Sequence, residues 1–193
     1  MAIHPEVSTS THPATLVEDD LVTSSVGRRV LATTRLATGF IFLWAFLDKT
    51  FGLHYSTGAP ATEGAPSLAW IDGGTPSQGF MKFAAIGPFK DLFASMASPV
   101  TDWLFMLGML GVGVAVMLGV GLRVSAVAGS LLMLLMWVAE WPLIQGSTNP
   151  IVDYHVIYAL VLILCATLLA GDTWGLGRRW ANLGIVQRHR WLR

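Results

Sequence analysis

Four stretches of this chain, 29–50, 103–122, 124–144 and 151–170, are long and apolar enough to cross a lipid bilayer. A hydrocarbon core about 30 Å thick takes roughly 20 residues of helix. Lipid offers backbone N–H and C=O groups no partners, so each segment must satisfy its own, and helix is the form that does so. The second stretch holds no charged residue, the third only Glu140, and the fourth only Asp153 besides His155, both in its first turns. Across the chain 53% of residues are hydrophobic and 12% charged, where soluble proteins carry about 25% charged. These features predict an all-α, polytopic membrane protein built as a four-transmembrane-helix bundle.

Lysine and arginine placement predicts its orientation. Arg28, Arg29, Arg123, Arg178, Arg179, Arg188, Arg190 and Arg193 fall on one side of such a bundle, against Lys49, Lys82 and Lys90 on the other. Both termini are therefore expected to be cytoplasmic. The first span follows almost thirty polar residues and has full length, which argues against a cleaved signal peptide. Residues 1–26, rich in Ser, Thr, Pro and acids, read as a disordered cytoplasmic tail. Residues 52–100 form a long outer loop, in which Phe89, Leu92, Phe93 and Met96 have the spacing of a short amphipathic helix lying on the membrane or capping the bundle. Residues 173–193 combine tryptophans with five arginines and suit an anionic inner leaflet. Glycines and serines in the second and third spans (Gly108, Gly111, Gly113, Gly119, Ser125, Gly129, Ser130) read as close-packing positions.

Ionisable groups inside spans cost about 3 kcal/mol on insertion scales and mark candidate sites. Here they are Arg35, Asp48, Lys49, Glu140, Asp153 and His155. All but Arg35 fall in the outer turns. Arg35 and Lys49 are fourteen residues apart, within about 40° on one helical face; Gly39, Phe42 and Phe46 lie between them on a face expected to look inward. Asp153 and Glu140 are the carboxylates available to Lys49. Asp153 and His155, about 200° apart on a regular helix, are expected to face different ways. The alternatives are that Asp48 and Asp153 meet headgroups or water, with Trp44, Trp137 and Trp141 as belt aromatics, and that Arg35 snorkels inward. No paired histidines occur at helical spacing, so no metal or haem site is predicted. The single cysteine, Cys165, excludes a disulfide or CxxC pair within the chain. Zero formal net charge offers no basic face for nucleic acid.

The first span reads Arg35-x3-Gly39-x2-Phe42-x-Trp44-x4-Lys49-x2-Gly52, the last opens on Asp153 and His155, and the exit reads Ala170-Gly171-x2-Trp174-Gly175-x-Gly177. This pattern resembles the DoxX/DoxD family of small bacterial membrane proteins over residues 28–180, with 27–172 as the membrane domain. The resemblance implies four spans in the bacterial inner membrane. It also implies a subunit of a thiosulfate:quinone oxidoreductase type, with quinone as electron acceptor and a second oxidoreductase subunit or a homo-oligomer as partner.

On that reading the catalytic candidates are Arg35, Lys49, Glu140, Asp153 and His155, the basic pair attracting an anion and the carboxylates passing protons. Phe46, Trp137 and Tyr158 are the candidates for a quinone slot. The competing readings are a non-catalytic scaffold docked through its tails and surface helix, and a small proton-coupled transporter.

Overall fold

The structure, a computed structural model, describes residues 16–58, 68–144 and 149–193. Residues 1–15 of the expected tail and 59–67 of the expected outer loop lie outside this description. The described residues are helical and contain no strand. Three helices are long and apolar enough to cross a membrane: α2 (Ser25–Phe51), α4 (Pro99–Leu118) and α5 (Leu122–Glu140). A single turn, α1 (Glu18–Leu21), precedes α2, and a short helix, α3 (Lys90–Met96), lies between α2 and α4. The chain ends with α6 (Tyr154–Thr167), α7 (Gly177–Ala181) and α8 (Gly184–Arg188).

Each long helix begins and ends where local chemistry dictates. The Ser24 hydroxyl accepts from Gly27 N at the start of α2. Four residues earlier than expected, α4 starts on Pro99, whose fixed φ suits a first helical position, behind a reciprocal Ser98–Thr101 cap. Its end is Gly119 at φ 73°, a left-handed conformation that costs glycine nothing. The end of α5, expected near 144, comes at Glu140 because Trp141 turns to φ 42° ahead of Pro142, and a residue preceding proline is pushed out of the α region. The fourth stretch is shortened at both ends. The Asp153 side chain caps the backbone N–H groups of His155 and Val156, and Leu169 takes φ 54°. Its helix therefore has 14 residues, about 21 Å by helical rise.

Helix α2 packs along α4, α4 along α5, α5 along α6, and α6 returns to α2. The enclosed core includes Phe42, Met109, Val112, Val116, Leu162 and Cys165. Glycine sets the α2–α4 spacing: a Cβ on Gly113 would stand 2.6 Å from Leu43 N, so only a bare Cα admits the crossing. Arg35, Gly39 and Phe42 lie on the buried side of α2.

The expected amphipathic helix is α3. Phe93 is its buried residue and packs with Met81 against Ala139 near the end of α5, and Ile86 N donates to Ala139 O at 2.8 Å. The segment therefore caps the bundle. The described part of the expected tail, residues 16–26, is helical in part. There α1 is docked through Glu18, and α2 has begun by Ser25. Burying Glu18 against Asp172 and Thr173 supplies contacts that a purely polar tail would lack.

Candidate functional site at the Glu140 end of the bundle

Two levels of the bundle gather polar side chains, and the sequence-predicted residues divide between them. At the end where α4 and α6 finish, Arg35 is fully buried and donates five hydrogen bonds, all to backbone carbonyls. Nε reaches Ala170 O at 3.0 Å. Nη1 reaches Val116 O at 2.6 Å and Met117 O at 2.7 Å, and Nη2 reaches Thr173 O at 3.4 Å and Trp174 O at 3.0 Å. A guanidinium has five N–H donors, so none is left for a substrate anion. The carbonyls belong to the end of α4 and the turns after α6, where the helix dipoles favour a cation. Arg35 is thus a fastener joining three segments. It neither snorkels nor shares a site with Lys49, which lies about 21 Å further along α2.

That same end holds the docked tails. Thr173 Oγ1 donates to Glu18 Oε2 at 2.6 Å, and Glu18 N donates to Asp172 Oδ2 at 3.1 Å. Arg193 pairs with Asp172 at 2.8 Å, and Asp19 pairs with Arg28 and Arg178. Burial pushes the Glu18 carboxyl above its usual range, and the neighbouring Asp172 charge pushes it further. A cavity of about 20 Å³ between Gly119, Gly171, Asp172, Trp180 and Arg193 has room for about one water. It lies beside the Arg35 network, at the opposite end of the bundle from Glu140, Asp153 and His155.

At the opposite end the charged residues take individual tasks. Asp48 is buried and accepts from Tyr55 N, Ser56 N and Ser56 Oγ, which fastens the chain as it leaves α2. Lys49 is half-buried, with Nζ 6.0 Å from the centroid of Phe105. It has no hydrogen-bond or ion-pair partner among the described residues. The expected pairing of Lys49 with Asp153 or Glu140 is not formed, because both carboxylates have taken other partners.

Those partners form the candidate site. Asp153 is the cap of α6, with φ −116° and ψ −171°. From there its Oδ2 lies 2.9 Å from His155 Nδ1. The expectation that the two face apart assumed a regular helix through both; Asp153 stands outside the helix, so the angular argument does not apply. Tyr154 donates its hydroxyl to Glu140 Oε1 at 3.2 Å and its ring lies 4.0 Å from that of His155. The site therefore joins the end of α5 to the start of α6. A carboxylate oxygen of each acid and a ring nitrogen of His155 all lie within 4.8 Å of one another.

Of the residues proposed for a quinone slot, Trp137 and Tyr158 border this cluster. Trp137 Nε1 donates to Ile151 O at 2.9 Å, and the Tyr158 ring meets that of Tyr154 edge-on at 5.8 Å. Phe46 is half-buried beside the apolar core on α2. Sequence reasoning missed Tyr154, although its place beside Asp153 was visible. It also missed Asp102, buried in the first turn of α4, which accepts from Ser77 N and Oγ and from Gln78 N and Nε2. An acid in a helix's first turn was the available signal, but its loop partner is distant in sequence.

Comparison with family models, with curated proteins and with solved structures gave no match.

Proposed function

We propose that this chain crosses a bacterial cell membrane four times, with both termini cytoplasmic. In this reading it is a DoxX/DoxD-type membrane subunit of a quinone-linked oxidoreductase acting on thiosulfate or another small sulfur compound. Three long apolar helices support the membrane setting. The antiparallel run of α6 beside α5 supports a fourth crossing, lengthened by Ile151 and Val152 before it and Leu168–Ala170 after it. The arginine-rich termini and Arg123 sit at the Arg35 end, and Lys49, Lys82 and Lys90 at the other, which supports a cytoplasmic Arg35 end.

The observation that carries the functional reading is the Glu140–Tyr154 and Asp153–His155 pairing at one mouth of the bundle. Reducing a quinone adds two electrons and two protons, and oxidising a pair of thiosulfates to a sulfur–sulfur linked product releases two electrons. A lipid-soluble quinone approaches from the bilayer, and Tyr154 is half exposed beside Trp137 and Tyr158. A ring lying on these aromatics meets the Tyr154 hydroxyl, whose one proton has to turn from Glu140 Oε1 to reach the ring's carbonyl oxygen. Lys49, a cation without an ion-pair partner among the described residues, suits a small anion at the same level. Cys165 is single and buried, so the electrons come from the sulfur substrate or a partner subunit and not from thiol exchange in this chain.

The test is thiosulfate-dependent quinone reduction in membranes from a deletion strain carrying wild type, Tyr154→Phe or Lys49→Ala. Activity restored by wild type and lost in both variants supports the reading. Absence of activity with folded wild-type protein removes it.

A non-catalytic scaffold is the second reading, favoured by the internal employment of Arg35, Asp48 and Asp102. Truncating the C-terminal tail does not separate the two, because Trp174 O and Arg193 are part of the fold. The exposed Ile185 and Trp191 do: replacing them with polar residues ruins a docking surface and spares an enzyme.

A further inference from the structure

We propose that residues 173–193 dock onto anionic phospholipid of the inner leaflet. Arg179, Arg188 and Arg190 meet headgroup phosphates, and Trp174, Ile185 and Trp191 enter the interface. These residues are held as a hook and not as a loose tail. Trp180 Nε1 donates to Leu192 O at 3.0 Å, Arg193 pairs with Asp172 at 2.8 Å, and Ala181 and Val186 are buried. The closing turn Arg190–Leu192 packs against both α8 and α5. The hook is thereby fixed at the Arg35 end of the bundle, the level at which the spans meet headgroups.

One side of the hook is used in packing; the other keeps charge and apolar surface without a partner. Arg178 is engaged by Asp19 and Arg193 by Asp172. Arg179, Arg188 and Arg190 are exposed and make no hydrogen bond or ion pair among the described residues. The same holds for Arg29 and Arg123 near the starts of α2 and α5. The carboxylates of this end are engaged elsewhere. Glu18 and Asp172 have buried side chains in contacts of their own, Asp19 holds Arg28 and Arg178, and Asp20 accepts from Val17 N. On the same hook Trp174, Ile185 and Trp191 are 61%, 60% and 62% exposed. Indole rings sit favourably at headgroup depth, and a guanidinium holds a phosphate through paired N–H donors. Each cation at an anionic membrane surface raises affinity about fivefold. An acidic protein docked through Ile185 and Trp191 is the competing occupant. Lipid is favoured because the hook follows the last apolar segment directly and reaches the bilayer surface without any partner. This inference rests on the membrane orientation proposed above and not on the quinone chemistry.

The experiment titrates full-length protein in a non-ionic detergent with phosphatidylglycerol or phosphatidylcholine carrying brominated acyl chains, and quenching of tryptophan fluorescence reads binding. Wild type is expected to prefer phosphatidylglycerol by at least about tenfold, a preference that fades as salt rises towards about 1 M. The triple variant Arg179→Gln, Arg188→Gln and Arg190→Gln is expected to lose most of that preference. Lys82→Gln with Lys90→Gln, at the other end of the bundle, keeps it. Equal binding of the two lipids by wild type overturns the proposal. So does an undiminished preference in the triple variant, which leaves this face to a protein partner. If the triple variant fails to fold, wild type in salt decides, and a preference that salt does not weaken refutes the docking. The orientation is read separately from His189→Cys, since Cys165 is buried, with a membrane-impermeant thiol reagent. Labelling in inverted vesicles together with equal lipid binding refutes the docking alone. Labelling only in right-side-out vesicles refutes the orientation, and the inner-leaflet assignment with it.

Discussion

Replacing Arg35 with lysine keeps the positive charge but reduces five N–H donors to three, so at least two of the five carbonyls lose this donor; Val116 O keeps Gly119 N, so at least one is left unpaired. Each buried carbonyl left unpaired costs about 1–3 kcal/mol, so the loss is at least about 1–3 kcal/mol. For a chain of this size that lowers the thermal midpoint by at least about 2 °C. The matched control is Lys49→Met, on the same helix. Lys49 has no ion pair or hydrogen bond among the described residues to lose, and methionine keeps an apolar stem beside Phe105. Its midpoint is expected to stay the same or rise, because a partly buried cation is removed. The assay is tryptophan-fluorescence unfolding of purified protein in a non-ionic detergent. The reasoning fails if Arg35→Lys melts with wild type, or if Lys49→Met is as damaging as Arg35→Lys. Either result would mean that the carbonyl network is not what holds the Arg35 end together.

Two further outcomes follow from the other buried acids. Glu18 titrates above its usual 4.5 because it is buried; the fold therefore favours the protonated acid. Its stabilising contribution is complete below 4.5 and is lost as pH rises through the higher folded value. Glu18→Gln should flatten that part of the stability–pH curve, and identical slopes for variant and wild type would contradict the burial argument. Asp102→Asn weakens four hydrogen bonds to Ser77 and Gln78, costing about 1.5–3 kcal/mol where a charge-assisted bond is lost. Limited proteolysis between residues 73 and 79 should then accelerate, and an unchanged cleavage rate would show that the loop is held by other contacts.

The helices were legible because their determinants are local. A run such as Trp103–Leu118 must satisfy its own backbone in an apolar medium, and Phe89–Met96 shows its period within eight residues. Glycines at close crossings and the buried stripe Arg35–Gly39–Phe42 were also readable from spacing. Helix ends were less so. Expected boundaries slipped where one residue left the α region, as at Trp141 and Leu169. The Asp153 cap shows what such a slip does to a site: moving one residue outside a helix brought together two side chains that regular geometry separates.

Sequence by itself thus determined that the chain is helical, where its apolar segments lie, and which polar residues are out of place among them. Tertiary structure decided what those residues do. Arg35 became a fastener because the end of α4 and the turns after α6 bring carbonyls to it, Asp48 and Asp102 became loop anchors, and Glu140, Asp153 and His155 met where α5 turns into α6. The physical reason is the range of the interactions. Backbone hydrogen bonding and the apolar solvent act within one segment and are written in consecutive residues. The partner of a buried charge is whichever donor or acceptor the packed helices deliver, and that depends on crossings, caps and turns far away in the chain.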